Sequence, residues 1–201
     1  MEVDFIVQSH KILHTLGGVD TIAEAARTCY RSEPAGADAD ERLVRRLIRN
    51  GHDAMLEFAW MTVRVTCDRG ISHEIVRHRL FSFAQESQRY VNYDGRGVQF
   101  VLPATVSEGV GRFMRKACER GAREYAAYVE SGVKPELARY VLPNATATTL
   151  VVAGNVREWR HFFHVRCDRH AHPMMQDLAR GILADAKAAM PVVFDDIEVD
   201  G

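Results

Sequence analysis

The chain has 201 residues, of which 47% are hydrophobic and 26% are charged. This composition is typical of globular proteins and excludes disordered, collagen-like and coiled-coil chains. The 26 Lys and Arg residues nearly balance 27 Asp and Glu residues, so no general attraction to nucleic acid or to a membrane surface is expected. No apolar run reaches the roughly 20 residues of a membrane-spanning helix. We therefore expect a cytoplasmic protein with one domain over residues 1–201.

The hydrophobic pattern predicts helices and strands that do not alternate regularly, which favours an α+β fold. Strands are expected over 3–8, 61–67 and 98–102, and the apolar run 150–153 is either a strand or the start of a helix. Helices are expected over 19–30, 40–50, 71–80, 107–130, 155–163 and 174–190, with a polar loop over 82–97. Asn155 and Glu158 resemble a capping box at the start of the 155–163 helix. The apolar stripe of the 107–130 helix comprises Val110, Phe113, Met114, Ala117, Tyr125 and Tyr128.

The cysteines do not form a recognisable reactive or metal-binding pattern. They are Cys29, Cys67, Cys118 and Cys167. No two have C-x-x-C spacing, and no set of Cys and His has the spacing of zinc ligands. We expect reduced, mostly buried thiols and no metal site.

The chemistry is concentrated in residues 77–90, which read RHRLFSFAQESQRY. The predicted helix over 71–80 closes with Arg77, His78 and Arg79, and the polar loop follows. Cations beside hydroxyl and amide donors can form an anion pocket. A solvated polar face is the alternative that the residues alone leave open.

The spacing R-H-R-x-x-S-x-x-x-x-S-x-R-Y resembles the signature of the flavin-dependent thymidylate synthases. Gly51, His52 and Glu57 are similar to a second element of that family, and residues 141–146, 154–162 and 166–171 resemble its C-terminal half. The resemblance covers nearly the whole chain. It implies an α+β domain with a central, mostly antiparallel sheet flanked by helices, assembled as a homotetramer whose subunits share active sites.

The resemblance also implies an activity. The family transfers a one-carbon unit from methylenetetrahydrofolate to C5 of a uridine monophosphate, using FAD and NADPH. The expected partners are therefore UMP or dUMP, a folate and further copies of the chain.

Roles follow from the matching positions. Arg166 corresponds to the uracil-contacting arginine, the expected catalytic residue, and His170 to a folate-side position. Positions that match nucleotide binding are Glu74, Arg77, Gln85, Glu86, Ser87, Arg89, Thr149 and Arg166. Positions that match FAD binding are His52, Arg77, His78, Arg79, Gln85, Asn155, Arg157 and His161.

Four positions depart from the family pattern. Thr149 stands where an arginine usually binds the nucleotide, and Ala84 replaces a polar residue beside Gln85. Ala54 replaces a small hydroxyl residue near the flavin, and Phe58 replaces a histidine. Losing a charged contact and a polar group would make room for a ribose 2′-hydroxyl. The chain thus resembles the divergent branch that methylates UMP and dUMP in nucleoside-antibiotic biosynthesis, such as the polyoxin pathway.

Three alternatives stay open. A housekeeping thymidylate synthase would be specific for dUMP. A degenerate paralogue would bind FAD and a nucleotide without turnover. A metal phosphohydrolase is suggested by His52 and Asp53, although further ligands at suitable spacing are not found.

Overall fold

Helices and strands follow one another irregularly along the chain. The computed structural model describes residues 1–34, 36–93 and 95–199. Its strands are β1 (Val3–Ile6), β2 (Ser9–Leu16), β3 (Trp60–Asp68), β4 (Ser82–Gln85), β5 (Val98–Val101) and β6 (Ala147–Asn155). Its helices are α1 (Val19–Tyr30), α2 (Ala37–Arg49), α3 (Arg69–Ile75), α4 (Glu108–Glu130), α5 (Pro135–Ala138), α6 (Val156–Arg166) and α7 (Pro173–Ala189), with 3-10 turns at Asp53–Phe58 and Arg139–Val141.

The strands form two sheets. β1 and β5 pair in parallel, with Val3 opposite Val98. The other sheet is antiparallel, in the order β2-β3-β6-β4. In β3 the side chains at alternate positions are buried, as the period of two predicted. The α+β class with an antiparallel sheet is confirmed, whereas the homotetramer stays a prediction.

The chain divides into two compact units. The first unit contains residues 1–9, 65–77 and 84–150, and the second contains residues 10–64, 78–83 and those from 151 onward. The predicted domain boundaries of 1–201 stay a prediction.

In the first unit, α4 presents a different face to the core from the one predicted. Cys118, Ala122 and Tyr125 are buried, whereas Val110 and Phe113 are exposed. Tyr125 is the member of the predicted stripe that lies in the core. The reason is a close approach at Gly121, where an added Cβ would lie 2.8 Å from the carbonyl oxygen of Val141. Small residues at 121 and 122 let the 139–143 segment approach the helix backbone, and this fixes which face is buried.

The second unit has an aromatic core built on α6. Trp159, Phe162 and Phe163 are fully buried, and the indole Nε1 of Trp159 donates to the carbonyl oxygen of Met61 at 2.9 Å. The guanidinium of Arg160 is engaged within the protein, because it donates to both carboxylate oxygens of Asp196 at 2.7 Å. This residue therefore anchors the C-terminal segment.

The helix predicted over 71–80 is shorter than expected. α3 ends at Ile75, so Arg77, His78 and Arg79 lie after the helix and do not close it. His78 and Phe81 are buried, and their rings pack near Phe162. Burying them requires the chain to leave the helix.

The predicted polar loop also begins with β4, whose backbone pairs with β6. The prediction missed β2, whose histidines and lysine interrupt the apolar pattern.

All four cysteines are free thiols, as expected. Cys29 is exposed, whereas Cys67, Cys118 and Cys167 are buried. Burial raises the pKa of Cys67 to about 12 and that of Cys167 to about 11. These two thiols therefore stay protonated and unreactive at neutral pH.

None of the described helices combines the length and the apolar character that crossing a membrane demands.

The glycine contact in α4 predicts a pair of opposite stability effects. Gly121→Ala should lower the free energy of unfolding by about 1–3 kcal/mol, because its Cβ would overlap the Val141 carbonyl. Gly111→Ala is the matched control in the same helix, where the added Cβ meets Val106 Cγ2 at an ordinary 3.8 Å. That variant should be as stable as the parent or more stable by up to about 1 kcal/mol. Urea unfolding measures both, and equal effects would contradict the proposed close approach.

Candidate active site

The site residues predicted from the sequence fall into two groups, one in each unit. The first unit contains Glu74, Arg77, Gln85, Glu86, Ser87, Arg89 and Thr149, the nucleotide positions. The second unit contains His52, His78, Arg79, Asn155, Arg157, His161, Arg166 and His170, which are mostly flavin positions.

In the second unit, α6 positions three of these side chains. The helix begins after Asn155, whose side-chain oxygen accepts the backbone N–H of Glu158 at 2.9 Å. Asn155 is therefore the predicted N-cap residue. Arg157 and His161 are exposed and four residues apart, so they share one side of the helix. Arg166 ends the helix and is partly buried.

The buried His78 contacts three residues of α6, Glu158, Phe162 and Arg166. His78 is 6% exposed, and its ring packs edge-on against Phe162 with the centroids 5.0 Å apart. The Nε of Arg166 donates a hydrogen bond to His78 Nε2 at 3.0 Å. On the other side of the ring, Glu158 Oε1 lies 3.5 Å from Nδ1, and the Glu158 side chain is 6% exposed. Glu158, His78 and the partly buried Arg166 are therefore linked in series through the two ring nitrogens of His78.

Burial and charge keep this histidine neutral. Desolvation, the Arg166 guanidinium and His161 together lower the pKa of His78 to about 4. Burial also raises the pKa of Glu158 above its ordinary value. Arginine has N–H donors and no acceptor, so His78 Nε2 must offer its lone pair to Arg166. The proton of the neutral ring is therefore on Nδ1, facing Glu158.

The same residues also have metal-ligand distances. One ligand atom from each of His78, Glu158 and His161 lies within 4.8 Å of the other two. A metal on His78 would need the Nδ1 lone pair, because Nε2 is engaged by Arg166. The tautomer just assigned carries a proton on Nδ1. The hydrogen bond to Arg166 therefore opposes metal binding at this cluster.

A cavity lies beside His52. It has a volume of about 420 Å³ and is lined by Ala26, Cys29, Tyr30, Leu47, Gly51, His52, Asp53, Ala54, Met55 and Arg157. Arg157 is half exposed and pairs with Glu57 at 2.6 Å, which raises the pKa of the arginine. Apolar walls with an arginine and an imidazole suit a planar aromatic group that carries phosphates. The lining thus fits a flavin nucleotide.

The two remaining predicted residues of the second unit are exposed. Arg79 follows His78 directly, and its side chain is exposed. His170 pairs through Nδ1 with Asp168 Oδ1 at 2.8 Å, and its backbone N–H donates to the same oxygen. These two contacts lower the pKa of Asp168. The pair orients the imidazole of His170 at the surface after α6.

In the first unit, hydroxyl and amide groups near the end of β4 form two partly buried hydrogen-bonded groups. Gln85 Nε2 donates to Ser72 Oγ at 3.0 Å and to Thr148 Oγ1 at 3.3 Å. Thr149 Oγ1 shares a hydrogen bond with Thr66 Oγ1 at 3.0 Å. The Thr149 carbonyl oxygen accepts the backbone N–H of Glu86 at 2.9 Å. The short side chain at 149 is thus held against β3.

The neighbouring charged residues are held less tightly. Tyr93 donates its hydroxyl to Glu86 Oε1 at 3.1 Å. Ser87 Oγ accepts the backbone N–H of Arg89 at 3.3 Å, which shapes the turn after β4. Arg89 itself is exposed, with its Nε 3.7 Å from Glu136. Exposed ion pairs of this kind are weak, so this arginine can exchange Glu136 for a phosphate.

Glu74 and Arg77 lie on and just after α3. Glu74 is half-buried, and its carbonyl oxygen accepts the backbone N–H of Arg77 at 3.3 Å. The Arg77 side chain is exposed. Its guanidinium is therefore accessible from solvent.

Comparison with known proteins decides the family. Residues 11–192 match the family model described as thymidylate synthase complementing protein. A flavin-dependent thymidylate synthase from Geobacter sulfurreducens is 37% identical over 193 residues, covering 91% of this chain and 83% of that protein. The chain belongs to the flavin-dependent thymidylate synthase family.

Two further relatives extend the comparison. The flavin-dependent thymidylate synthase from Mycobacteroides abscessus is 36% identical over 207 residues, covering 91% of this chain and 81% of that protein. The crystal structure of the UMP/dUMP methylase PolB from Streptomyces cacaoi, bound with 5-Br dUMP, is similar with a TM-score of 0.86. Its sequence is 25% identical, and the match covers 96% of this chain and 95% of that chain.

The family signature did not indicate the residues that support the predicted site residues. Glu158 was recognised only as part of a capping box, yet its carboxylate faces His78. Ser72, Thr66 and Tyr93 contact predicted residues but lie outside the motif. Thr66 carries one signal: it is a hydroxyl residue on the face of β3 opposite to the buried Met61, Val63 and Val65.

The buried histidine of this thymidylate synthase family member makes stability depend on pH. The pKa of His78 is about 4 when folded and about 6.5 when unfolded, so the unfolded chain binds more protons between these values. Stability should therefore fall as the pH drops from 6.5 to 4, by at most about 3 kcal/mol from this residue. The raised pKa of Glu158 acts in the opposite direction, so a difference between variants is needed.

His78→Gln isolates the contribution of the histidine. Gln keeps an acceptor for Arg166 but does not titrate. Urea unfolding between pH 4 and 7 should show a shallower loss of stability in acid for this variant than for the parent. If the free energies of unfolding of the two proteins have parallel pH profiles, the pKa of His78 is not lowered by folding.

Proposed function

We propose that the chain catalyses FAD-dependent C5-methylation of uridine 5′-monophosphates. Methylenetetrahydrofolate is the one-carbon donor, and NADPH is the reductant. The observation that supports this most directly is the pairing of Arg166 with the buried His78, which fixes a cation at the position that matches the family's uracil-contacting arginine. The relatives named as flavin-dependent thymidylate synthases support FAD as the cofactor.

The residues present divide the work of binding. The phosphate of a nucleotide is suited by two guanidinium groups, those of Arg77 and Arg89, and by the hydroxyl of Ser87. Gln85 and Glu86 are held in place by Ser72 and Tyr93, so their polar groups are pre-oriented toward a base or sugar. His52 and Arg157 line the second-unit cavity that fits a flavin nucleotide, and His161 lies on the same side of α6 as Arg157. When bound, FAD supplies hydride transfer.

Arg166 carries the proposed catalytic role. A fixed guanidinium beside the uracil ring lowers the pKa of N3 and stabilises negative charge that develops on the base. The charge is permanent, because arginine is not deprotonated in proteins. The hydrogen bond to His78 restricts its direction, so less reorganisation is needed during the reaction.

The family resemblance adds two features to the proposal. His170, oriented by Asp168, lies on the folate side. The chain assembles as a homotetramer with shared active sites. The cytoplasmic location expected from the sequence is also part of the proposal.

The first test removes the proposed catalytic cation. Arg166→Ala should lower the methylation rate a hundred- to a thousandfold, because one preorganised donor contributes roughly 2.7–4 kcal/mol in the transition state. Bound FAD, read from the flavin absorption spectrum, and the circular dichroism spectrum should be unchanged. Arg169→Ala, an exposed arginine three residues away, is the control and should keep wild-type activity. An Arg166→Ala rate within threefold of the parent would reject the role.

The substrate sugar rests on separate observations. The hydroxyl of Thr149 lies 3.0 Å from that of Thr66, where the family usually has a long cation. Each hydroxyl can donate and accept, so the pair can also bond an added 2′-hydroxyl. Ala84 is exposed and removes a polar group beside Gln85. The similarity to a structure described as a UMP/dUMP methylase supports the same substrates.

We expect UMP and dUMP to be methylated at comparable rates. Thr149→Arg should fill the space next to Thr66 and favour dUMP, whereas Thr149→Val keeps the size and removes only the hydroxyl. A larger loss with UMP than with dUMP in Thr149→Val would locate the 2′-hydroxyl partner. Side-by-side assays with both nucleotides give the result. If dUMP reacts while UMP is inert in the parent, the chain is a dUMP-specific thymidylate synthase.

A further inference from the structure

The carboxylate of Glu158 is buried at a position where the helix does not need it. Its backbone N–H donates to Asn155 Oδ1, so the side chain that caps the helix is that of Asn155. Its side chain is 6% exposed and lies 3.5 Å from His78 Nδ1. Burying a carboxylate is costly unless a proton donor or a cation compensates it. The contact with His78 is therefore the feature that explains why the carboxylate is buried here.

We propose that Glu158 is a positioning residue that keeps the Nδ1–H tautomer of His78 and so directs the Arg166 guanidinium toward the substrate. The inference rests on the proposed function, because Arg166 is there the catalytic cation.

The position of one proton on the His78 ring links Glu158 to Arg166. A neutral imidazole carries one N–H, and the other ring nitrogen is an acceptor. The Arg166 Nε–H points at Nε2 from 3.0 Å, so a proton on Nε2 would place two donors against each other. With the proton on Nδ1, the buried N–H requires an acceptor, and Glu158 Oε1 is the carboxylate oxygen that faces it. The carboxylate thus favours the Nδ1–H tautomer, in which Nε2 accepts the hydrogen bond from Arg166.

The ring itself cannot easily turn away. His78 packs against Phe162 at 5.0 Å and near Phe81 at 6.0 Å, and the ring of His161 lies 5.6 Å away. A change of tautomer would therefore act on Arg166 rather than be absorbed by rotation of His78. A misplacement of about 1 Å at a reacting group costs on the order of a hundredfold in rate.

Two substitutions test this series. Glu158→Leu removes the acceptor and keeps the volume, whereas Glu158→Gln keeps an oxygen that can accept from Nδ1–H and is the conservative rescue. Asp185→Asn is the matched control, because Asp185 Oδ2 pairs with another histidine, His10, at 3.0 Å on the surface. All three are made in the full chain with FAD bound.

The readouts separate positioning from a general structural role. Nitrogen-15 spectra of histidine-labelled protein report which ring nitrogen carries the proton, and the His78 signals are those missing in His78→Gln. In the parent, Nδ1 should be protonated and Nε2 should be the acceptor. In Glu158→Leu this preference should be lost, and kcat should fall roughly ten- to a hundredfold while KM for the nucleotide changes less than threefold. Glu158→Gln should be intermediate, and Asp185→Asn should keep both the parental kcat and the His78 signals.

Either of two results would overturn the proposal. One is a parent protein whose His78 carries its proton on Nε2. The other is a Glu158→Leu variant with parental kcat and unchanged His78 signals. If Glu158→Leu does not fold, the ring nitrogen that carries the proton in the parent decides. The tautomer measurement needs no turnover, so an inactive parent would reject the proposed function without removing this test.

Discussion

The contact between Arg166 and His78 is the interaction on which the second unit's site depends. It fixes a permanent cation at the end of α6 by means of a neutral acceptor, so the charge of the arginine is not cancelled by its partner. A carboxylate at the same place would hold the arginine more strongly but would neutralise it. The low pKa of His78, caused by burial and by Arg166 itself, maintains this neutral state throughout the physiological range.

The first unit uses a different principle. Its neutral hydroxyls and amides bond one another in two separate groups, one of Ser72, Gln85 and Thr148 and one of Thr66 and Thr149. Such a group can exchange one internal bond for a bond to a ligand at little net cost in free energy, because the number of hydrogen bonds is conserved. The charged residue Arg89 lies at the exposed border, where its ion pair with Glu136 is weak. Orientation and charge are therefore provided by separate residues.

The sequence predicted elements whose periodicity is local. α1 spans Val19–Tyr30 as predicted, and the N-cap at Asn155 is confirmed. Predictions that depend on distant residues were wrong. The helix after Ile71 ended early because Phe162, more than eighty residues away, provides the packing for His78. The buried face of α4 was assigned by hydrophobicity, whereas the close approach of Val141 to Gly121 decides it. The family signature marked Arg166 and His78 separately, but their hydrogen bond and the carboxylate of Glu158 required the fold.

The distribution of thiols has a practical consequence. Cys67, Cys118 and Cys167 are buried, whereas Cys29 is exposed and lines the cavity beside His52 and Arg157. An alkylating reagent therefore meets a natural attachment point at this cavity, with no need to engineer a cysteine. A fluorophore attached there would sense whatever enters the space next to the imidazole, so the unaltered chain carries its own reporter position for following ligand occupancy in real time.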